Sequence, residues 1–176
     1  MTGGAFAALL RRFTAAIEAG DGKSLAACFT EDGVYRDYLY GAHQGRAAIA
    51  AMLESQFHRD AEAYCWEMFD PVCNGDLGYA HWLFSFTSKL PEFASRRVVL
   101  DGMSRFALKD GLIRDYSEAV NGGVAMAQLG VVAPRIEKVL QRWARELQER
   151  PAVQVHLTAA GNRRAAADAS ATNTRR

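Results

Sequence analysis

Asp37 is the side chain of this sequence best suited to proton chemistry. It stands within Thr30-Glu31-Asp32-Gly33-Val34-Tyr35-Arg36-Asp37-Tyr38-Leu39-Tyr40-Gly41, which reads as a turn followed by a strand over residues 34–40. Aromatic and aliphatic neighbours disfavour the ionised carboxylate, so its pKa rises toward the range useful to a general base. Tyr35, two positions earlier, shares the same strand face and offers a phenol to a developing oxyanion. Glu118 lies in the segment read as the last strand and is expected to face inward. Two neighbouring carboxylates do not both ionise cheaply, and a split between them supplies an acid and a base together. His58, at the end of a helical segment, titrates near neutrality and would serve as a proton shuttle. Each has a plainer alternative: Asp37 or Glu118 paired with an arginine, Tyr35 as a wall residue, His58 favoured by a helix dipole.

Trp82, Phe84 and Phe86 alternate onto one strand face, with Leu100 and Gly102 expected opposite and Tyr116 counted with them. As core side chains these need no ligand. Around a cavity they suit a flat, apolar or aromatic molecule, with Gly102 leaving room for it. His43 falls in an expected loop able to cap such a cavity. His81 should point to the other sheet face, and His156 sits near the tail. No HExxH, HxH, Cys-His cluster, phosphate loop or Ser-His-Asp elbow is present. No metal site and no cofactor are therefore expected.

The elements that must position these groups are legible from periodicity. Phe6, Leu9, Leu10, Phe13 and Ile17 fall at helical spacing, and Gly20 ends the run. Residues 23–29 read as a short helix and residues 45–61 as a longer one. Strands are expected over 64–72, 77–89, 96–108 and 112–120. Asn74-Gly75-Asp76 and Lys109-Asp110-Gly111 read as hairpin turns, and residues 91–95 as a longer connection. Helices, one strand, a helix and then a meander argue for an α+β fold. Ile136, Val139, Leu140, Trp143 and Leu147 mark a further amphipathic helix begun near Pro134. Residues 1–150 are read as one domain and 151–176 as a disordered tail.

The 176 residues carry a net charge of +1, with 49% apolar and 23% charged side chains. That balance provides no electrostatic footprint for nucleic acid. No apolar run approaches the roughly 20 residues that span a bilayer, and no signal peptide is visible. Cys28, Cys65 and Cys73 form no CxxC pair, which favours reduced thiols and a cytoplasmic location.

The order of elements resembles the nuclear transport factor 2-like superfamily, which includes ketosteroid isomerases, SnoaL-like polyketide cyclases and limonene epoxide hydrolases. Two segments carry the likeness: residues 19–46, including Phe29-Thr30-Glu31-Asp32-Gly33-Val34-Tyr35, and residues 104–116 with Leu129-Gly130 following. The resemblance implies a strongly curved antiparallel sheet wrapped around N-terminal helices as a cone, here with an extra C-terminal helix, and often a homodimer through the outer sheet face. Asp37 falls where ketosteroid isomerases hold their base. Their oxyanion tyrosine falls on Phe13 and their protonated aspartic acid near Gly102, so that oxyanion hole is missing. Tyr35, Asp37 and Glu118 match the water-holding positions of the epoxide hydrolases, whose Arg-Asp pair falls on Trp82 and Phe84. The implied function is cofactor-free acid-base catalysis (lyase, isomerase or cyclase) on an apolar aromatic or polycyclic substrate, a polyketide or a diarylpropane losing formaldehyde among them. The alternative is a non-catalytic binding or dimeric assembly module.

Overall fold

A computed structural model describes residues 1–37 and 39–173, with side chains as far as Arg164. It forms two compact units, Met1–Val131 and a second beginning at Val132.

In the first unit, α1 (Gly3–Ala19) is capped by Thr2, whose side chain accepts from the Ala5 amide, and stops at Gly20 in a left-handed conformation with φ 69°. Phe6, Leu9, Leu10, Phe13 and Ile17 are all buried, the single apolar stripe that the spacing required. Asp21 caps α2 (Gly22–Ala27) through a 2.9 Å bond from the Ser24 amide. The helix expected over 45–61 is interrupted. It comprises α3 (Arg46–Met52), a π-helical stretch (Leu53–Phe57) and α4 (His58–Asp60).

The strands are β1 (Phe29–Asp37), β2 (Gly41–Gln44), β3 (Ala61–Asn74), β4 (Leu77–Ser88), β5 (Arg97–Lys109) and β6 (Leu112–Val120), and α5 (Gly122–Gln128) follows. The sheet order is β2-β1-β6-β5-β4-β3. All neighbours are antiparallel except β1 and β6, which run parallel. Both expected hairpin turns form, with Gly75 (φ 60°) in one and Asp110 (φ 52°) and Gly111 (φ 81°) in the other. β3 carries register shifts at Glu62/Cys65 and Phe69/Val72, where Ala63 and Asp70 take positive φ. Such bulges bend a strand and increase its twist. They lie on an edge strand, which also tolerates Pro71.

The first strand departs from the expected 34–40. It begins five residues earlier, at Phe29, and ends at Asp37. It ends there because the Asp37 carboxylate accepts from the amides of Leu39 (2.7 Å) and Tyr40 (2.6 Å), a local turn that takes those N–H groups out of any ladder. Tyr38 lies outside the described residues. Gly41, with φ 85°, opens β2. His43 is thus not in a loop but in a strand, opposite Tyr35.

In the second unit α6 (Ala133–Gln148) begins at the expected proline, and none of its residues is buried. The compact units divide after Val131, before the helix that was expected to close the first domain. Residues 151–173, expected to be disordered, form α7 (Pro151–Asn173). From Ala159 the missing large apolar side chains argue against a packed core, but the alanine-rich sequence has high intrinsic helix propensity. Residues 174–176 of that expected tail lie outside the described residues. Among the described residues no helix is long and apolar enough to cross a membrane.

Candidate active site

A pocket of about 140 Å³ opens on the inner face of the sheet. β1 contributes Tyr35 and Asp37, while β6 contributes Glu118, so the topology brings both predicted carboxylates to one cavity. Trp82, Phe84 and Phe86 of β4 and Leu100 of β5 form the apolar wall, as the alternation required. The registers Trp82–Gly102 and Phe84–Leu100 set the expected residues opposite one another.

Gly102 has a different use from the one expected. A Cβ there would collide with the Trp82 indole, so the missing side chain makes room for Trp82 rather than for a ligand. Tyr116 is fully buried and is not among the pocket-lining residues. Its phenol sits behind the wall and donates a 2.8 Å hydrogen bond to Oε2 of Glu118. His58 is also outside the lining. Its Nε2 lies 2.8 Å from the carbonyl oxygen of Ile17, and its ring lies against Gly20 and Tyr64. A histidine closing the space between α1 and α4 fits the helix-end reading.

Asp37 is partly buried, and desolvation lifts its pKa above the ordinary carboxylate value. The amides of Tyr40 and Leu39 and the His43 imidazole oppose that rise without cancelling it. Tyr35 is fully buried and stacks on Phe13 at 6.0 Å, with interplanar angle 10°. Its pKa is pushed up, first by burial and then by the charges of Glu118 and Asp37, so the phenol keeps its proton. The Tyr116 hydroxyl is nearby, yet among the described residues Tyr35 Oη has no hydrogen-bond partner of ordinary geometry. The phenol is thus a buried donor at the pocket wall, under the charges of Glu118 and Asp37.

The mouth holds a third carboxylate that sequence reasoning missed. Asp60 accepts from the Tyr40 hydroxyl (2.9 Å) and from Arg59 (2.6 and 2.8 Å). The Arg59 hydrogen bond holds its pKa below the usual range. Burial, followed by its bond to Asp60, pushes the Tyr40 phenol up. Tyr64 and Trp66, expected only as residues of a strand over 64–72, also line the cavity. Their alternation along β3 was the available signal. The helix break that turns Asp60 toward the pocket had none, because a π-helical stretch leaves no mark in the apolar pattern. Among the described residues no cluster of three His, Cys, Asp or Glu forms a metal site.

A curved sheet wrapped on helices, with a carboxylate-bearing apolar pocket inside, defines a nuclear transport factor 2-like protein. More specifically, the chain belongs to the SnoaL-like domain family, whose match covers residues 10–116. Among solved structures, TsrD from Streptomyces laurentii superposes with TM-score 0.64 at 22% identity, covering 75% of this chain and 99% of that one. A proposed polyketide cyclase from Xanthomonas campestris pv. campestris matches with TM-score 0.60 at 23% identity, over 72% and 98% of the two chains. An LEH-like epoxide hydrolase of M. tuberculosis matches with TM-score 0.58 at 15% identity, over 71% and 88%. At these identities the likeness shows the fold. No curated protein matches the chain.

Proposed function

We propose that this protein is a cofactor-independent acid-base enzyme of the isomerase, cyclase or lyase type, acting on an apolar aromatic or polycyclic small molecule. The observation that carries the proposal is the joint placement of Asp37, Glu118 and the unpartnered phenol of Tyr35 on one apolar cavity. A substrate carbonyl or phenolic oxygen would accept from Tyr35 while a carboxylate removes a proton from carbon and another group returns one. The family match makes a polyketide-like substrate the first class to test, with diarylpropanes that lose formaldehyde second. His58 has no part in this mechanism, since it does not line the pocket. An open cavity with charged groups inside favours catalysis over the assembly-module reading, in which the same space would be filled.

The outer sheet face supports a homodimer within this proposal. Phe69 and Val72 of β3, Tyr79 and Leu83 of β4, and Val99 and Met103 of β5 are exposed on it together. The reduced thiols fit a cytoplasmic setting. The function is tested by a thermal-shift screen of aromatic, polyketide-like and diarylpropane compounds, with product analysis of each hit on wild type and on Asp37→Asn/Glu118→Gln. Conversion by wild type and binding alone by the double variant support the enzyme. Equal conversion by both refutes it.

A further inference from the structure

Behind the pocket wall lies a chain of buried hydrogen bonds that the lining residues alone do not reveal. Trp82 Nε1 is 2.8 Å from Ser104 Oγ, Ser104 Oγ is 2.9 Å from Tyr116 Oη, and Tyr116 Oη is 2.8 Å from Glu118 Oε2. Ser104 and Tyr116 are both 0% exposed, so water does not reach their hydroxyls. We propose that Ser104 and Tyr116 are positioning residues that fix the direction of the protons in this chain and so make Glu118 the proton acceptor of the pocket's carboxylates.

The direction follows from one group with no choice. An indole N–H donates and never accepts, so Ser104 must accept from Trp82. Ser104 then has one hydroxyl proton and, among the described residues, one remaining partner, Tyr116. Donation to Tyr116 leaves the Tyr116 proton for Glu118. The reverse arrangement would require a protonated Glu118 and would leave the buried Ser104 proton without an acceptor, at the full desolvation cost of that group. Three donors therefore point one way along β4, β5 and β6 and end on a carboxylate oxygen. This rests on the acid-base reading above and deepens it. Glu118 removes the proton, and Asp37, whose pKa burial raises above the ordinary carboxylate value, is left to return one. Among the described residues, the titratable groups facing this site are Tyr35 and Asp37 from β1, Tyr40 after it, His43 from β2, Asp60 from α4, Tyr64 from β3 and Tyr116 beside Glu118.

The test reads the proton directly, in the full chain. Proton NMR of wild type should show a slowly exchanging hydroxyl resonance displaced downfield by the charged acceptor. It should vanish in Tyr116→Phe and move upfield in Glu118→Gln and in Ser104→Ala. A wild type without this resonance, or a resonance indifferent to Glu118→Gln, overturns the assigned direction. The functional arm uses 5-nitrobenzisoxazole, whose ring opens when a base takes the ring C–H proton. The C–H electrons then form the nitrile, the N–O bond breaks and the phenolate leaves. The reaction needs a base and no returned proton. Tyr116→Phe should lower its kcat about tenfold with KM unchanged, the scale of one hydrogen bond to a charged group. The hydroxyl signature without any ring opening by wild type would leave the proton direction standing and remove the acid-base reading. Ring opening without the signature would do the opposite.

Discussion

The two ends of the pocket hold their carboxylates by different means. Glu118 is fixed from behind by side chains from three strands of one sheet, through Tyr116, Ser104 and Trp82. Asp37 is fixed by its own neighbours, the amides of Leu39 and Tyr40, two and three residues ahead. Tyr40, placed by that turn, then reaches Asp60 across the mouth. One end is long-range and buried, the other local and near solvent. Under the proposed assignment, the carboxylate that ends the one-way donor chain receives the proton. A carboxylate raised by desolvation, with two backbone donors and the His43 imidazole only partly offsetting the rise, binds its proton more tightly than a free one. Under the proposed function, these differences in anchoring divide the roles of acid and base between the two carboxylates.

Substitutions that break one end should leave the other intact. The largest stability effect is expected at Trp82, which anchors the donor chain and fills the space over Gly102. Trp82→Ala should cost about 3–5 kcal/mol in chemical denaturation. Ser104→Ala should cost about 1–3 kcal/mol, since it strands the Trp82 N–H in the interior. On the opposite side Tyr40→Phe loses a single bond to a partly exposed partner and should cost only about 0.5–1.5 kcal/mol. If Tyr40→Phe proved more damaging than Ser104→Ala, the contrast between buried and local anchoring would be wrong.

The smallest effect is one of pH. The folded state raises the pKa of Asp37, so it binds that proton more tightly than the unfolded chain does. This contribution is fully present below the ordinary carboxylate range and is lost as pH rises through the elevated value. Asp37→Asn keeps an oxygen acceptor for the two amides without the charge. It should therefore melt above wild type at neutral pH, with the gap closing as the pH falls into the carboxylate range. A gap that widens on acidification would contradict the direction of the shift.

The parts of this arrangement set by local pattern were legible in the sequence. The α1 stripe, both glycine turns and the alternation that aligns Trp82, Phe84 and Phe86 all follow from spacing, and the structure has them. Asp37 and Glu118, whose strand positions pointed to proton chemistry, line the same cavity. Illegible were the features decided by a partner far along the chain. Tyr116 read as a wall residue because nothing in its neighbourhood announces Ser104 behind it. Gly102 read as space for a ligand because its occupant, Trp82, stands on another strand. His58 looked available until Ile17 supplied its partner. The parallel pairing of β1 with β6, which brings Asp37 to Glu118's side, is also a tertiary choice.

The most direct measurement of the central claim is the rate of 5-nitrobenzisoxazole ring opening by wild type, Asp37→Asn and Glu118→Gln. The account predicts turnover by wild type, a loss of at least ~100-fold in Glu118→Gln, the scale of a positioned general base, and a rate in Asp37→Asn within roughly fivefold of wild type, because this reaction requires no returned proton. Unchanged turnover in Glu118→Gln, or a wild type no faster than free acetate, would contradict it.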